Sequence, residues 1–340
     1  MSKLREIHLQ QVDYQGLFFE HLVRQQFTWF NHQHATHSGE LETKLASRLQ
    51  DAMQKSVQNP AHLLFVRLTL GEQLPNMIDL VMDHAGTADE MRKTINNESW
   101  LAKELLQWIN SSRFRKRSIS HDHVDSLDKA MDLFGGKLLA YNLLEFAISQ
   151  AAAREMPYCK LLNRRILEWA QEQAQFAGAL AQKKNVCEAS ARMAALVQSI
   201  APLAISQNFV HLFERQMDMA LTQARECGNK KTYDQLLSIK PPVRVLLNQL
   251  VNCTDLQNQL LSSLGNTGHE LSVLSRESEM DIPTSQLGEL AKAVRQARRY
   301  SQYRWLNDAC VLTPEQSHQL LFELDLTEDE LSELTLLRRR

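Results

Sequence analysis

KLLAYNLLEFAISQAAAR, Lys137–Arg154, is the stretch on which the fold class turns. A helix on a protein surface is apolar along one stripe. This one is apolar nearly all round, so it belongs inside a bundle, enclosed by other helices. Outward from it, apolar residues recur at helical spacing, and no alternating period-2 segment of convincing length calls for a strand. Glycine and proline are scarce, 11 and 8 in 340 residues, which suits long helices joined by short loops. The fold class is read as all-α.

Local signals place the helix ends. Thr87 with Glu90, Thr313 with Gln316 and Thr327 with Glu330 are capping boxes, in which a threonine oxygen and an acidic or amide side chain satisfy two helix-start amides reciprocally. Asp125 with Asp128 and Asn185 with Glu188 are looser versions of the same signal. Gly135–Gly136 and Gly228 stand where a helix would end in a left-handed residue. The central and later helices are then expected at roughly 126–134, 137–154, 158–183, 186–205, 208–227, 243–264 and 285–307. Composition divides the chain into an N-terminal helical extension, 1–70, a dense helical domain, 71–265, and a linker with a C-terminal helical section, 266–340. The linker is placed at Asn266–Ser285, where limited proteolysis is expected to cut first.

A hydrophobic fraction of 44% with 23% charged residues is that of a folded chain rather than a disordered one. A formal net charge of −2 gives no global basic field to attract phosphates, so nucleic acid is disfavoured as a partner. The cysteines (Cys159, Cys187, Cys227, Cys253, Cys310) are scattered and odd in number, as expected of reduced thiols. MSKLREIHLQQ has no apolar signal region, and apolar runs such as Leu63–Val66 fall far short of the roughly 18 residues a membrane helix needs. The expectation is a cytoplasmic chain without membrane contact.

Upstream of the central helix lies MRKTINNESWLAKELLQWINSSRF, Met91–Phe114. It reads as two short amphipathic helices hinged at Asn96–Asn97. Met91, Ile95, Leu101, Leu105 and Trp108–Ile109 share a stripe that should bury against the central helix. Asn110 and Ser111 follow the last apolar residue, where short polar side chains bond freed backbone groups. Three pieces in order resemble the HDOD domain, a bacterial regulatory relative of the HD phosphohydrolases. They are LPNMIDLVMD (74–83), TADEMRKTINNESWLAKELLQWINSSRF (87–114) and DSLDKAMDLFGGKLLAYNLLEFAI (125–148). The resemblance rests on Leu74, Pro75, Leu105, Asn110, Ser111, Phe114 and Gly135, read as packing and turn residues, and it covers about 75–260. One departure is Glu98–Ser99, where the family has Asp-Pro.

The resemblance implies an HD-like helical bundle and says where metal chemistry would sit. HD phosphohydrolases hold divalent ions with a histidine, an adjacent His-Asp pair and a distant aspartate, which together activate water against phosphorus. LLNRRILEWA places Arg165 where the first histidine would be, and AALVQSIAPLAI places Gln198 and Ser199 at the pair. Arginine stays protonated and cannot ligate, while glutamine and serine bring no charge to offset a cation. The resemblance with these substitutions implies a regulatory module that has lost hydrolysis. It would have no cofactor and would work through protein contacts in a signalling pathway.

Other chemistry is thinner. His121-Asp122-His123 and the His32, His34 and His37 set could hold metal, but three adjacent residues cannot all face one ion, and the second set lacks a companion cysteine or carboxylate. Both read more plainly as polar loop. No GxSxG, GxGxxG or Walker loop occurs. Arg113, Arg115, Lys116 and Arg117 form a basic cluster. Arg295, Arg298, Arg299 and Arg304, interleaved with Tyr300, Tyr303 and Trp305, could neutralise phosphates while stacking on bases. The main reading is the non-catalytic regulator. The alternatives are a metal-dependent phosphohydrolase and a nucleotide or RNA binder using Arg295, Arg298, Arg299 and Tyr303.

Overall fold

The all-round apolar stretch begins its helix at Leu127, where the Ser126 hydroxyl accepts from the Lys129 amide at 3.2 Å. Ser126, not Asp125, is therefore the cap. The computed structural model describes residues 13–32, 39–71, 74–82, 103, 106–107, 109–111, 123–154, 156–280 and 282–337. Among the described residues there are fourteen α-helices longer than one turn and no strand. The helices α1 Tyr14–Gln26, α2 Glu40–Ser56 and α3 Leu74–Met82 come first. The centre is α4 Leu127–Ala153, α5 Lys160–Lys183, α6 Glu188–Val197 and α7 Ile200–Glu226. Next come α8 Lys230–Leu237, α9 Val243–Val251, α10 Thr254–Ser262 and α11 Gly265–Glu279. The last are α12 Glu289–Asp308, α13 Pro314–Glu323 and α14 Glu328–Leu337.

The all-α reading holds, and several local expectations are corrected. α4 runs straight through Gly135–Gly136 instead of ending there. Each mid-helix glycine costs about 1 kcal/mol against alanine. Burial of Leu139, Leu143, Leu144, Phe146 and Ile148 in the same helix outweighs that. The break between α6 and α7 falls at Gln198–Ser199, not near 206. Pro202 explains it: in the first turn of α7 its missing N–H is no loss, whereas inside a continuous helix it would remove a bond and clash with the preceding turn. The expected 243–264 helix is two, parted at Asn252, whose amide nitrogen bonds the Asn248 carbonyl at 2.8 Å and competes with the helical ladder. Asn185 is a left-handed residue (φ 55) rather than part of a cap.

A further correction concerns Asn266–Ser285, which is no linker. Residues Gly265–Glu279 form α11, packed against α3, α6, α10 and α12 with Leu271, Ser272, Ser275 and Ser278 buried. Its start is capped from 187 residues away, where the Asp79 carboxylate accepts from the amides of Asn266 (2.9 Å) and Thr267 (2.7 Å). A negative group there also answers the positive end of the helix dipole. Gly265 has φ +80, and a Cβ on it would come 2.6 Å from Asp79 Oδ2, so glycine is required.

The three compositional zones share one hydrophobic cluster running from Phe18 to Leu334. Its hub is α5, which touches α1, α4, α6, α12 and α14. Trp169 of α5 is fully buried, its ring 4.9 Å from Phe18 of α1; Phe18 in turn lies 6.2 Å from Trp305 of α12. Glu172, also on α5, accepts from Ser301 Oγ (2.8 Å), Arg304 Nε (2.9 Å) and Trp305 Nε1 (3.3 Å). The stretch Glu188–Glu226 is long and apolar enough to resemble a membrane span, with a mean hydropathy of 1.3, but its most apolar window is wholly buried among the other helices.

The capping boxes at Thr313–Gln316 and Thr327–Glu330 form as expected, with both reciprocal bonds in each, and Gly228 is left-handed at φ 62. Thr87 and Glu90 lie outside the described residues. Glu330 also pairs with Lys184 of α5, each side chain 9% exposed. Burial raises the Glu330 carboxyl, but Lys184 and Thr327 outweigh it and hold the group below its ordinary 4.5. A depressed folded pKa means stability that is present above the unfolded value and lost as pH falls through the folded one. Acidification below about pH 4.5 is therefore expected to release α14 early. Amide exchange of α14, followed against pH and corrected for intrinsic rates, should show this in the native chain and not in Glu330→Gln; identical profiles would refute it.

Candidate functional site

Arg165, Gln198 and Ser199, which the resemblance sets at an HD enzyme's metal-ligand positions, lie on α5 and at the α6–α7 break. Arg165 is half-buried on α5. Its Nη1 bonds Glu168 Oε2 at 2.9 Å, and its guanidinium sits 5.7 Å from the Trp305 ring centre. Burial, then the Arg165 and Arg24 charges, holds the His21 imidazole of α1 below its ordinary pKa. Arg165 thus faces the N-terminal and C-terminal helices that cover α5.

Gln198 and Ser199 are buried, at 4% and 0% exposure. The Ser199 hydroxyl donates to the Leu196 carbonyl at 2.8 Å. Gln257 of α10 bridges the break, its Nε2 donating to the Val197 carbonyl (2.7 Å) and its Oε1 accepting from the Ala201 amide (2.9 Å). Gln173 Nε2 bonds the Ala195 carbonyl at 2.6 Å. Both polar atoms of the Gln198 amide are buried without a partner. No hydrogen bond joins Arg165 to Gln198 or Ser199 among the described residues, and no three His, Cys, Asp or Glu there converge as a metal set. A fixed cation, an unpartnered neutral amide and an engaged hydroxyl do not fit a divalent ion.

The unpartnered amide makes a prediction. A buried polar group without a partner costs about 1–3 kcal/mol. Gln198→Met, near in volume, is expected to raise stability by about 1–2 kcal/mol in urea unfolding. A loss of that size would mean that Gln198 has an essential polar role.

Asn110 turns out to be a two-way clamp. Its Nδ2 donates to the carbonyls of Leu106 (2.8 Å) and Val124 (2.6 Å), while its Oδ1 accepts from the Val124 amide (3.0 Å) and faces His123 Nδ1 (2.7 Å). It therefore fixes the chain entering α4, a turn-type role extended across 14 residues of sequence. Val124, thus held, is 2% exposed, as is Ile109 beside the clamp. Asn110→Ala frees buried backbone groups, and a loss of about 2–3 kcal/mol is expected by chemical denaturation. Asn110→Asp keeps the acceptor and loses both donated bonds, so it should not rescue; an unchanged Asn110→Ala midpoint would show that the clamp is idle.

His123 of the His121-Asp122-His123 motif therefore faces Asn110, while His121 and Asp122 lie outside the described residues. His32 closes a 3-10 turn at Thr28–His32, and His34 and His37 lie outside. Leu74 and Pro75 are buried at the start of α3, and Gly135 is in mid-α4. Leu105, Phe114 and the basic Arg113–Arg117 cluster are outside the described residues.

Of the alternative nucleic-acid set Arg295, Arg298, Arg299 and Tyr303, two arginines turn inward. Arg295 is 3% exposed and donates to the carbonyls of Ser278 (2.7 Å) in the last turn of α11 and of Met280 and Ile282 (2.6 Å) just beyond it. Arg298 pairs with Glu279 and bonds Gln15 Oε1 at 3.0 Å. Tyr303 packs 6.1 Å from Tyr300. Alternating cations and aromatics on one helix look alike whether they face a ligand or a neighbouring helix; here Arg295 and Arg298 face the protein. Asp79 and Glu172 were missed because a lone acid carries no local sign of a partner over a hundred residues away.

Against protein-family models, residues 69–239 match the HDOD domain. No curated protein and no solved structure matched the chain.

Proposed function

The chain belongs to the HDOD family, HD-related domains found in signalling proteins, and from that premise we propose that it is a non-catalytic regulatory module. It acts through contacts with a protein of a bacterial signalling pathway, in the cytoplasm. The observation that supports this reading is the Gln198–Ser199 junction, which the resemblance sets at the paired metal ligands of an HD enzyme and which carries an unpartnered buried amide and a hydroxyl bonded to Leu196. Arg165, the third such position, is held by Glu168 and covered by Trp305. Without carboxylate and imidazole donors no bound water is acidified, and no hydroxide forms near neutral pH.

The test is metal analysis of the purified chain, with hydrolysis of bis(p-nitrophenyl) phosphate assayed under added Mn²⁺, Mg²⁺ or Fe²⁺. Substoichiometric metal and background turnover are expected. One equivalent of tightly held metal with metal-dependent turnover would establish the phosphohydrolase alternative instead. A pull-down from the native cell then identifies the protein partner.

A further inference from the structure

A cleft of about 520 Å³ lies between the start of α1 and the helices α10, α11, α12 and α13. None of its lining residues falls within 69–239, so it belongs to the extensions rather than to the family domain. Its volume is that of a small-molecule site, since such clefts run from roughly 300 to 1,000 Å³.

The polar groups on its wall divide into engaged and orphaned. The carboxylates are engaged: Asp13 accepts from the Gly16 amide (2.8 Å), Glu279 pairs with Arg298, and Glu323 accepts from Gln319 Nε2 (2.9 Å). Arg295 is engaged by its three carbonyls. Two donors are not. The Tyr14 hydroxyl and Gln302 Nε2 are buried without a hydrogen-bond partner, and Gln302 as a whole is 5% exposed. Burial, reinforced by Glu323, pushes the Tyr14 phenol above its ordinary pKa, so it stays protonated and able to donate. Buried polar groups in folded proteins nearly always have partners, and two orphaned donors on one cleft wall ask for the same thing, an acceptor from outside the chain.

We propose that this cleft binds a small molecule bearing a carboxylate or phosphate group, with Tyr14 and Gln302 as its donors. Arg299 and the Glu279-paired Arg298 line the same cleft. The ligand would tie α1 to α12, so occupancy would stiffen the contact between the two extensions. The site does not depend on the regulatory reading.

The full chain is titrated calorimetrically with sodium phosphate and, separately, sodium malonate, against sodium chloride at matched ionic strength, with thermal unfolding in parallel. Saturable binding near one equivalent and a midpoint raised by several degrees are expected with one probe, and which one does so separates phosphate from carboxylate ligands. Tyr14→Phe and Gln302→Leu each remove a group that has no partner, so both should fold, and each should weaken binding about tenfold. No binding of either probe beyond chloride, or native affinity in both variants, would overturn the proposal.

Discussion

Replacing Phe18 by alanine is expected to cost about 3–5 kcal/mol of folding stability, the range for a fully buried phenylalanine. Phe18 is 0% exposed, and its ring packs at 4.9 Å on Trp169 and 6.2 Å on Trp305. The substitution therefore opens a cavity where α1, α5 and α12 meet. Because the three zones share one cluster, the loss should shift a single cooperative urea transition. If α1 were an appendage, the main transition would stay where it is and only a small early change would appear. That outcome would return residues 1–70 to the status of a separate extension.

Arg295→Ala should be comparably severe. A buried guanidinium bonding three carbonyls is removed, and charge-assisted bonds contribute about 1.5–3 kcal/mol each before non-additivity. A loss of about 3–5 kcal/mol is expected, with the damage centred on residues 278–288. Lysine keeps the charge but not the fork that reaches three acceptors, so Arg295→Lys should recover little. Limited proteolysis reads the location: the native chain should resist cleavage in Asn266–Ser285, and the variant should be cut there. Unchanged stability together with lost RNA retention would instead restore Arg295 to a nucleic-acid face.

Much of this was open to reading in the sequence, for reasons that can be stated. Thr313–Gln316 and Thr327–Glu330 were legible because a capping box is completed within four residues. The α4 core was legible because an apolar surface on every side has one physical solution. Asn266–Ser285 misled because its serines read as solvent-facing. In the fold Ser272 bonds the Asn258 carbonyl (3.2 Å) and Asp79 caps the helix start. Gly135–Gly136 misled for the opposite reason: a local stop signal worth about 2 kcal/mol was overridden by burial along the same helix.

The sequence by itself determined the helical class and the family, because helical periodicity and short motifs are carried by local residues. Only the tertiary structure decided what Asp79, Glu172, Arg295 and Gln302 do. Each takes its meaning from a group far along the chain, or from the want of one: a helix start, a neighbouring helix, three carbonyls, an empty acceptor position. A polar side chain is the same in sequence whether it faces water, a partner or a ligand. Folding chooses among these, because burial makes each unmet hydrogen bond costly.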